Sequence, residues 1–230
     1  MSSAGPSTTR PMELTPRAAI SARVLDYIEL TKPKIAVMAL VTVTVGYTLA
    51  AQGTWLSATL VYAMAGIALM AAASSALNQW VERETDARMQ RTANRPIPAG
   101  RLQPAEVFWF GLGCGVVGTT ILAAYVNATT AWLGLFTFAL YTFVYTPLKK
   151  HTSLCTAIGA VPGALPPVLG WTAAGGALDS GAFALFGILF LWQFPHFLAI
   201  AWLYREDYSR AGLKMLPATV QKDGTSRITG

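Results

Sequence analysis

Three oxygen-bearing side chains stand four residues apart in the segment Asn78-Gln-Trp-Val-Glu82-Arg-Glu84-Thr-Asp86. At helical periodicity Asn78, Glu82 and Asp86 fall along one face, and Glu84 points away from it. Such a row suits a hard cation, because Mg2+ takes oxygen ligands and is commonly held by carboxylates together with substrate phosphates. Arg91 and Arg95, again four apart, supply planar forks that grip phosphate oxygens bidentately. An ordinary charged helix end has the same spacing, so the row alone leaves both readings open. A second group, Tyr204-Arg205-Glu206-Asp207-Tyr208, weighs against the ordinary one. Two acidic clusters interleaved with arginines are fit to hold Mg2+ ions about a diphosphate, neutralising the charge that develops as it departs. The chemistry that follows is ionisation of an allylic diphosphate.

Nearly everything around these groups is apolar. Of 230 residues, 53% are hydrophobic and 12% charged. A soluble domain carries roughly twice that charge, and a disordered chain is far less hydrophobic. No Asp, Glu, Lys or Arg occurs in 35–81, 107–148, 152–178 or 180–204. A membrane-spanning helix needs about 20 apolar residues, so the first two stretches hold a pair each and the last two one apiece. The fold class expected is an all-α integral membrane protein with six spans, at 35–51, 56–80, 107–126, 131–147, 154–174 and 183–203. Turn signals at Gln52-Gly53-Thr54, Asn127-Ala128-Thr129 and Gly175-Gly176 divide them. The second helix is expected to run on past the hydrocarbon, since no breaker precedes Pro96.

All 17 Lys and Arg fall before the first span, between the second and third, between the fourth and fifth, or after the sixth. That side is cytoplasmic by the positive-inside rule, which puts the N-terminus and both acidic clusters there. The net charge of +6 is therefore topogenic, and no nucleic-acid surface is implied. Residues 1–22 are rich in Ser, Thr and Pro without an apolar core, and are expected to be a disordered cytoplasmic tail rather than a signal peptide. Cys114 and Cys155 are read as small packing residues. Lys34 and Lys150, like their neighbours Lys32 and Lys149, flank span ends; each is an interfacial anchor or a point charge for diphosphate. Gly111, Gly115, Gly118, Gly159, Gly163 and Gly170 serve close helix packing or the shaping of a cavity, and Pro162, Pro166 and Pro167 must bend or break their helix. His196 lies inside the sixth span, where an ionisable residue is a functional candidate. It contacts a bound substrate or donates to a carbonyl that Pro195 frees.

At this point the motifs resemble those of the UbiA-type intramembrane prenyltransferases, in particular their heme-farnesylating (heme O synthase) branch. The residues that carry the resemblance are Asn78-x3-Glu82-x-Glu84-x-Asp86-x2-Met89-x-Arg91-Thr92-x2-Arg95-Pro96, Tyr145-Thr146-Pro147-Leu148-Lys149-Lys150, and Gly163-Ala164-Leu165-Pro166-Pro167 with Gly170-Trp171. Trp192-Gln193-x-Pro195-His196-Phe197 and the stretch from Tyr204 through Asp207-Tyr208 to Met215-Leu216-Pro217 complete the set.

The resemblance implies transfer of a farnesyl group from farnesyl diphosphate to the 2-vinyl group of heme B (protoheme IX), with addition of water, giving heme O and diphosphate. It implies Mg2+ as cofactor, held by Asn78, Glu82, Asp86, Glu206 and Asp207, with Asn78, Glu82, Asp86 and Asp207 catalytic. Arg91, Arg95, Lys34 and Lys150 would bind diphosphate and His196 the heme. Partners are the two substrates, membrane lipid and terminal oxidase assembly proteins; the location is the cell inner membrane. Glu82 and Glu84 stand where relatives commonly carry Asp, which moves the metal by about one methylene. Family members ring their cavity with nine spans. Residues 23–230 are thus expected to form a prenyltransferase domain without the last three, its cavity open on one side. Such a chain by itself is expected to fold poorly or to be inactive. An aromatic-ring prenyltransferase of the same family is the near rival. A cation transporter and a non-catalytic assembly protein are the distant ones; a transporter calls for acids within the spans, which carry none.

Overall fold

The computed structural model describes residues 16–51 and 57–213. The Gln52-Gly53-Thr54 turn, the Met215-Leu216-Pro217 motif and residues 1–15 of the expected tail lie outside the described residues. Among the described residues the chain is helical throughout. In order these helices are α1 (Pro16–Thr31), α2 (Pro33–Ala50), α3 (Ala58–Asp86), α4 (Pro104–Tyr125), α5 (Ala128–Ala139), a π-helical turn (Leu140–Tyr145), α6 (Thr146–Leu148), α7 (Cys155–Ala164), α8 (Pro166–Ala173), α9 (Ser180–Leu203) and α10 (Arg205–Arg210). The first residues of α1 fall within the segment read as tail.

Five continuous helices are long and apolar enough to cross a membrane: α2, α3, α4, the α5–α6 run Ala128–Leu148, and α9. Each lies on an expected span. Over the remaining expected span, 154–174, the chain instead forms two short helices, α7 and α8, that meet at Leu165, and neither is long enough to cross a membrane by itself. Proline chemistry is the cause. Pro167 has no N–H to give to the carbonyl of Gly163, and that oxygen instead accepts from Gln193 Nε2 of α9 at 3.2 Å. A break at membrane depth persists where protein satisfies the freed backbone, and Gln193 does so here.

Polar residues at the turns start the helices. Ser57 accepts from Leu60 N at 3.2 Å, Asn127 from Thr130 N at 2.8 Å, and Asp179 from Gly181 N and Ala182 N at 3.0 and 3.2 Å. Each satisfies an otherwise orphaned helix N–H. Gln103 and Glu106 form a capping box ahead of α4, with Pro104 in its first turn.

Packing runs through glycines at two crossings. Between α3 and α4, a Cβ on Gly118 would stand 2.8 Å from the carbonyl oxygen of Gly66. Between α2 and α8, a Cβ on Gly46 or on Gly170 would collide with the backbone carbonyl of Pro167 or of Val43. In lipid such close approach is a main source of helix association. The principal core gathers Val43, Tyr47, Ile67, Met70, Leu122 and Leu169 from α2, α3, α4 and α8.

The second helix runs on past the expected span end at Trp80 and stops at Asp86, ten residues short of Pro96. The chain folds back because Thr92 Oγ1 donates to the Asp86 carbonyl at 2.8 Å, while Met89, Ile97 and Leu102 become buried. A continued helix would have left those three side chains in water.

Candidate active site

Asn78, Glu82 and Asp86 form one buried stripe on the last two turns of α3, and Glu84 on the other side is exposed. Each member of the stripe meets a basic side chain from a different part of the chain. Lys32 Nζ donates to Asn78 Oδ1 at 3.3 Å, Lys149 Nζ to Glu82 Oε1 at 2.8 Å, and Arg95 to Asp86 Oδ2 at 2.6 Å. Asn78 Nδ2 in turn donates to Thr146 Oγ1 at 3.1 Å. Asp86 is fully buried, and its second oxygen, Oδ1, has no hydrogen-bond partner among the described residues.

Register selects these partners. Lys32 sits between α1 and α2 at φ 48, a left-handed conformation that costs a non-glycine residue about 1–2 kcal/mol. That turn brings its ammonium to α3, whereas Lys34 is exposed. Likewise Lys149, at the end of α6, reaches Glu82 and lies 4.5 Å over the Tyr145 ring, whereas Lys150 is exposed. The lysines that meet the acidic row are therefore Lys32 and Lys149, not the Lys34 and Lys150 expected at diphosphate. Lys-Pro-Lys and Lys-Lys pairs carry no signal in the sequence that would choose between their members.

Desolvation, together with the cations Arg95 and Lys149, pulls the Lys32 ammonium down to about 7. Lys149 moves the other way: burial is outweighed chiefly by Glu82, and its ammonium is held above the ordinary range. Lys149 and Arg95 balance Glu82 and Asp86, and Lys32 adds a further donor with part of a positive charge near neutral pH, which favours an anion.

The second acidic cluster lies on α10. Asp207 is buried and Glu206 exposed. Asp207 pairs with Arg210 and accepts from the backbone N–H of Arg91 at 3.4 Å. The Arg210 hydrogen bond, with help from the Arg91 and Gln90 backbone, holds its carboxyl below the usual range. The loop that follows the first acidic row is thereby tied to the helix that carries the second. A cleft of about 500 Å³ opens there, with Arg91, Tyr204, Arg205, Asp207 and Arg210 on its walls. The Arg91 guanidinium lies 4.7 Å over the Tyr204 ring.

His196 makes no contact with the acidic row. It is exposed, stacked on Trp192 at 4.6 Å between ring centroids. The polar residue of this motif that turns inward is Gln193.

The donor set suits a hard divalent cation: amide and carboxylate oxygens only, with one buried carboxylate oxygen unpartnered. No group of three or more His, Cys, Asp or Glu converges among the described residues. A metal ion here draws its remaining ligands from phosphate oxygens or water, as Mg2+ commonly does.

Comparison with known proteins identifies the family. The profile of the UbiA prenyltransferase family matches residues 39–229. Protoheme IX farnesyltransferase of Solibacter usitatus is 47% identical over 201 residues, spanning 84% of this chain and 69% of that protein. The protein of the same name from Koribacter versatilis is 45% identical over 223 residues, 96% of this chain and 71% of its own length. Among solved structures, a UbiA homolog from Archaeoglobus fulgidus bound to DMAPP and Mg2+ superposes with a TM-score of 0.69 at 19% identity, covering 85% of this chain and 69% of that one. By sequence and by fold, the chain is a multi-pass membrane prenyltransferase of the UbiA family.

Proposed function

We propose that this chain transfers the farnesyl group of farnesyl diphosphate to the 2-vinyl group of heme B, with addition of water, to give heme O and diphosphate. The observation that carries the reading is the buried Asn78–Glu82–Asp86 row ringed by Lys32, Lys149 and Arg95. The acceptor is supported by the names of the relatives that are 47% and 45% identical. Mg2+ is supported by the DMAPP- and Mg2+-bound neighbour.

Asn78, Glu82 and Asp86 would hold metal through their oxygens, with Asp207 and the exposed Glu206 contributing from α10. Such a metal would supply charge neutralisation for the leaving diphosphate. Lys149 and Arg95 then exchange a carboxylate partner for a phosphate oxygen, and Lys32 exchanges the Asn78 amide oxygen for one. They are already desolvated and in place, so little reorganisation accompanies the departure of the leaving group. Arg91 grips the diphosphate from the loop side. The apolar tail of the substrate runs down between the helices from this mouth. The orientation expected from the basic residues sets the site at the cytoplasmic face of the cell inner membrane. Oxidase assembly proteins are the natural recipients of the product.

The test supplies the protein in lipid vesicles with farnesyl diphosphate, Mg2+ and either heme B or 4-hydroxybenzoate, and reads products by mass spectrometry. Formation of heme O alone is expected. A prenylated benzoate without any farnesylated heme overturns the choice of acceptor. Product formation that survives Glu82→Gln combined with Asp86→Asn overturns the site.

A further inference from the structure

Two hydroxyls lie directly beneath the acidic row and belong to neither metal nor diphosphate. Ser75 is three residues before Asn78 on α3. At 100° per residue it falls about 60° around the helix from Asn78, between Glu82 at about 40° and Asp86 at about 80°, and about 4.5 Å deeper. Thr142 stands four residues before Thr146, the residue bonded to Asn78. The Asn78–Thr146 and Glu82–Lys149 contacts show that α3 and the 128–148 segment run side by side in the same direction. Going back three residues along α3 and four along the π-helical turn therefore leads to Ser75 and Thr142, both below the Asn78–Thr146 contact.

Both side chains are buried, Ser75 at 7% exposure and Thr142 at 1%, and neither hydroxyl has a hydrogen-bond partner among the described residues. A helical Ser or Thr ordinarily donates back to the preceding turn. Ser74 does so to Met70 O at 2.9 Å, and Thr146 to Tyr141 O at 2.8 Å. An unpaired buried hydroxyl costs about 1–3 kcal/mol, so two below one contact mark a place built for a polar guest. A small polar cavity with several partners is where a buried water resides.

We propose that Ser75 and Thr142 hold the water molecule that completes the reaction. The inference rests on the heme-farnesylating reading above and deepens it. In that reaction the C1–O bond of farnesyl diphosphate breaks with its electron pair going to oxygen. The vinyl π pair then bonds the terminal vinyl carbon to C1, leaving positive charge on the vinyl carbon next to the macrocycle. Water donates its two hydrogens to the Ser75 and Thr142 oxygens and so presents a lone pair to that carbon. The C–O bond forms, and the released proton passes to the departed diphosphate. Without a held water the same cation loses a proton and becomes an alkene. The depth is consistent: farnesyl C1 starts bonded to a diphosphate oxygen at the level of the acidic row, and the cationic vinyl carbon lies two bonds beyond C1, within reach of a water one turn below the row.

The test measures the ratio of dehydrated to hydrated farnesyl-heme by mass spectrometry, a quantity independent of overall rate. Ser75→Ala and Thr142→Val are each expected to raise this ratio by about tenfold, the scale of one lost hydrogen bond. Ser75→Thr and Thr142→Ser keep the hydroxyl and restore the ratio, which a merely structural role would not do. An unchanged ratio in both truncations overturns the proposal, as does loss of both products in equal proportion. If the unsubstituted protein forms no farnesyl-heme at all, the heme reading itself fails. Farnesyl-heme with an unaltered ratio in the variants leaves that reading intact and removes only the role of the two hydroxyls.

Discussion

Arg95 lies 2.6 Å from Asp86 Oδ2, and the other oxygen of the same fully buried carboxylate is without a partner. One carboxylate thus serves a permanent cation on one side and remains open on the other. Removing the guanidinium leaves a buried charge unpaired, at a cost of about 3–5 kcal/mol. Arg95→Ala is expected to lower thermal stability accordingly and to abolish farnesyl diphosphate binding. Full stability in a melting experiment would contradict the pairing.

The lysine pair at the end of α6 separates by function. Lys149 bonds Glu82 and Lys150 is exposed. Lys149→Ala is expected to weaken farnesyl diphosphate binding by about tenfold or more, since a charge-assisted hydrogen bond to phosphate contributes roughly 1.5–3 kcal/mol. Lys150→Ala is expected to stay within about twofold, the scale of an exposed ion pair. Titration calorimetry distinguishes the two, and equal losses would refute the assignment.

At Gln193, replacement by Leu leaves the Gly163 carbonyl buried with no donor. A destabilisation of about 1–3 kcal/mol is expected, with faster hydrogen exchange confined to α7 and α8. Uniform loss of protection across the bundle would argue against a local role.

Close approach of α2 and α8 makes Gly170→Ala a severe change despite its small size. Its methyl group would meet the Val43 carbonyl, and backbone cannot swing aside as a side chain does. Overpacking of this kind costs about 1–3 kcal/mol or more. Failure to accumulate in membranes is the outcome expected, whereas Gly113→Ala, where no atom lies within 4 Å of the added carbon, is expected to be neutral.

Much of this was legible because the bilayer simplifies the chain. Charge-free runs located each span to within a few residues, and the i, i+4, i+8 spacing placed Asn78, Glu82 and Asp86 on one buried face. What periodicity could not convey is how separate segments register against one another. Lys32 and Lys34 look alike as neighbours of Pro33; only the positive φ at Lys32 turns it onto α3. The end of α3 was likewise invisible locally, because Thr92 and the buried Met89, Ile97 and Leu102 act from beyond the helix. Pro166-Pro167 announced a break, but Gln193, which relieves it, lies on a different span. His196 drew notice as an ionisable group in an apolar stretch, but it is exposed and stacks on Trp192.

The π-helical turn at Leu140–Tyr145 has a consequence for how the site was assembled. There the Thr146 N–H reaches back five residues to Tyr141 O, so the turn carries one residue more than an α-helical turn. An extra residue shifts everything after it by about 100° around the axis. That offset lets Thr146 and Lys149 address α3. Deleting a single residue from this turn would swing the lysine away from Glu82 while leaving every apolar contact above it unchanged, a loss of alignment with no change in composition.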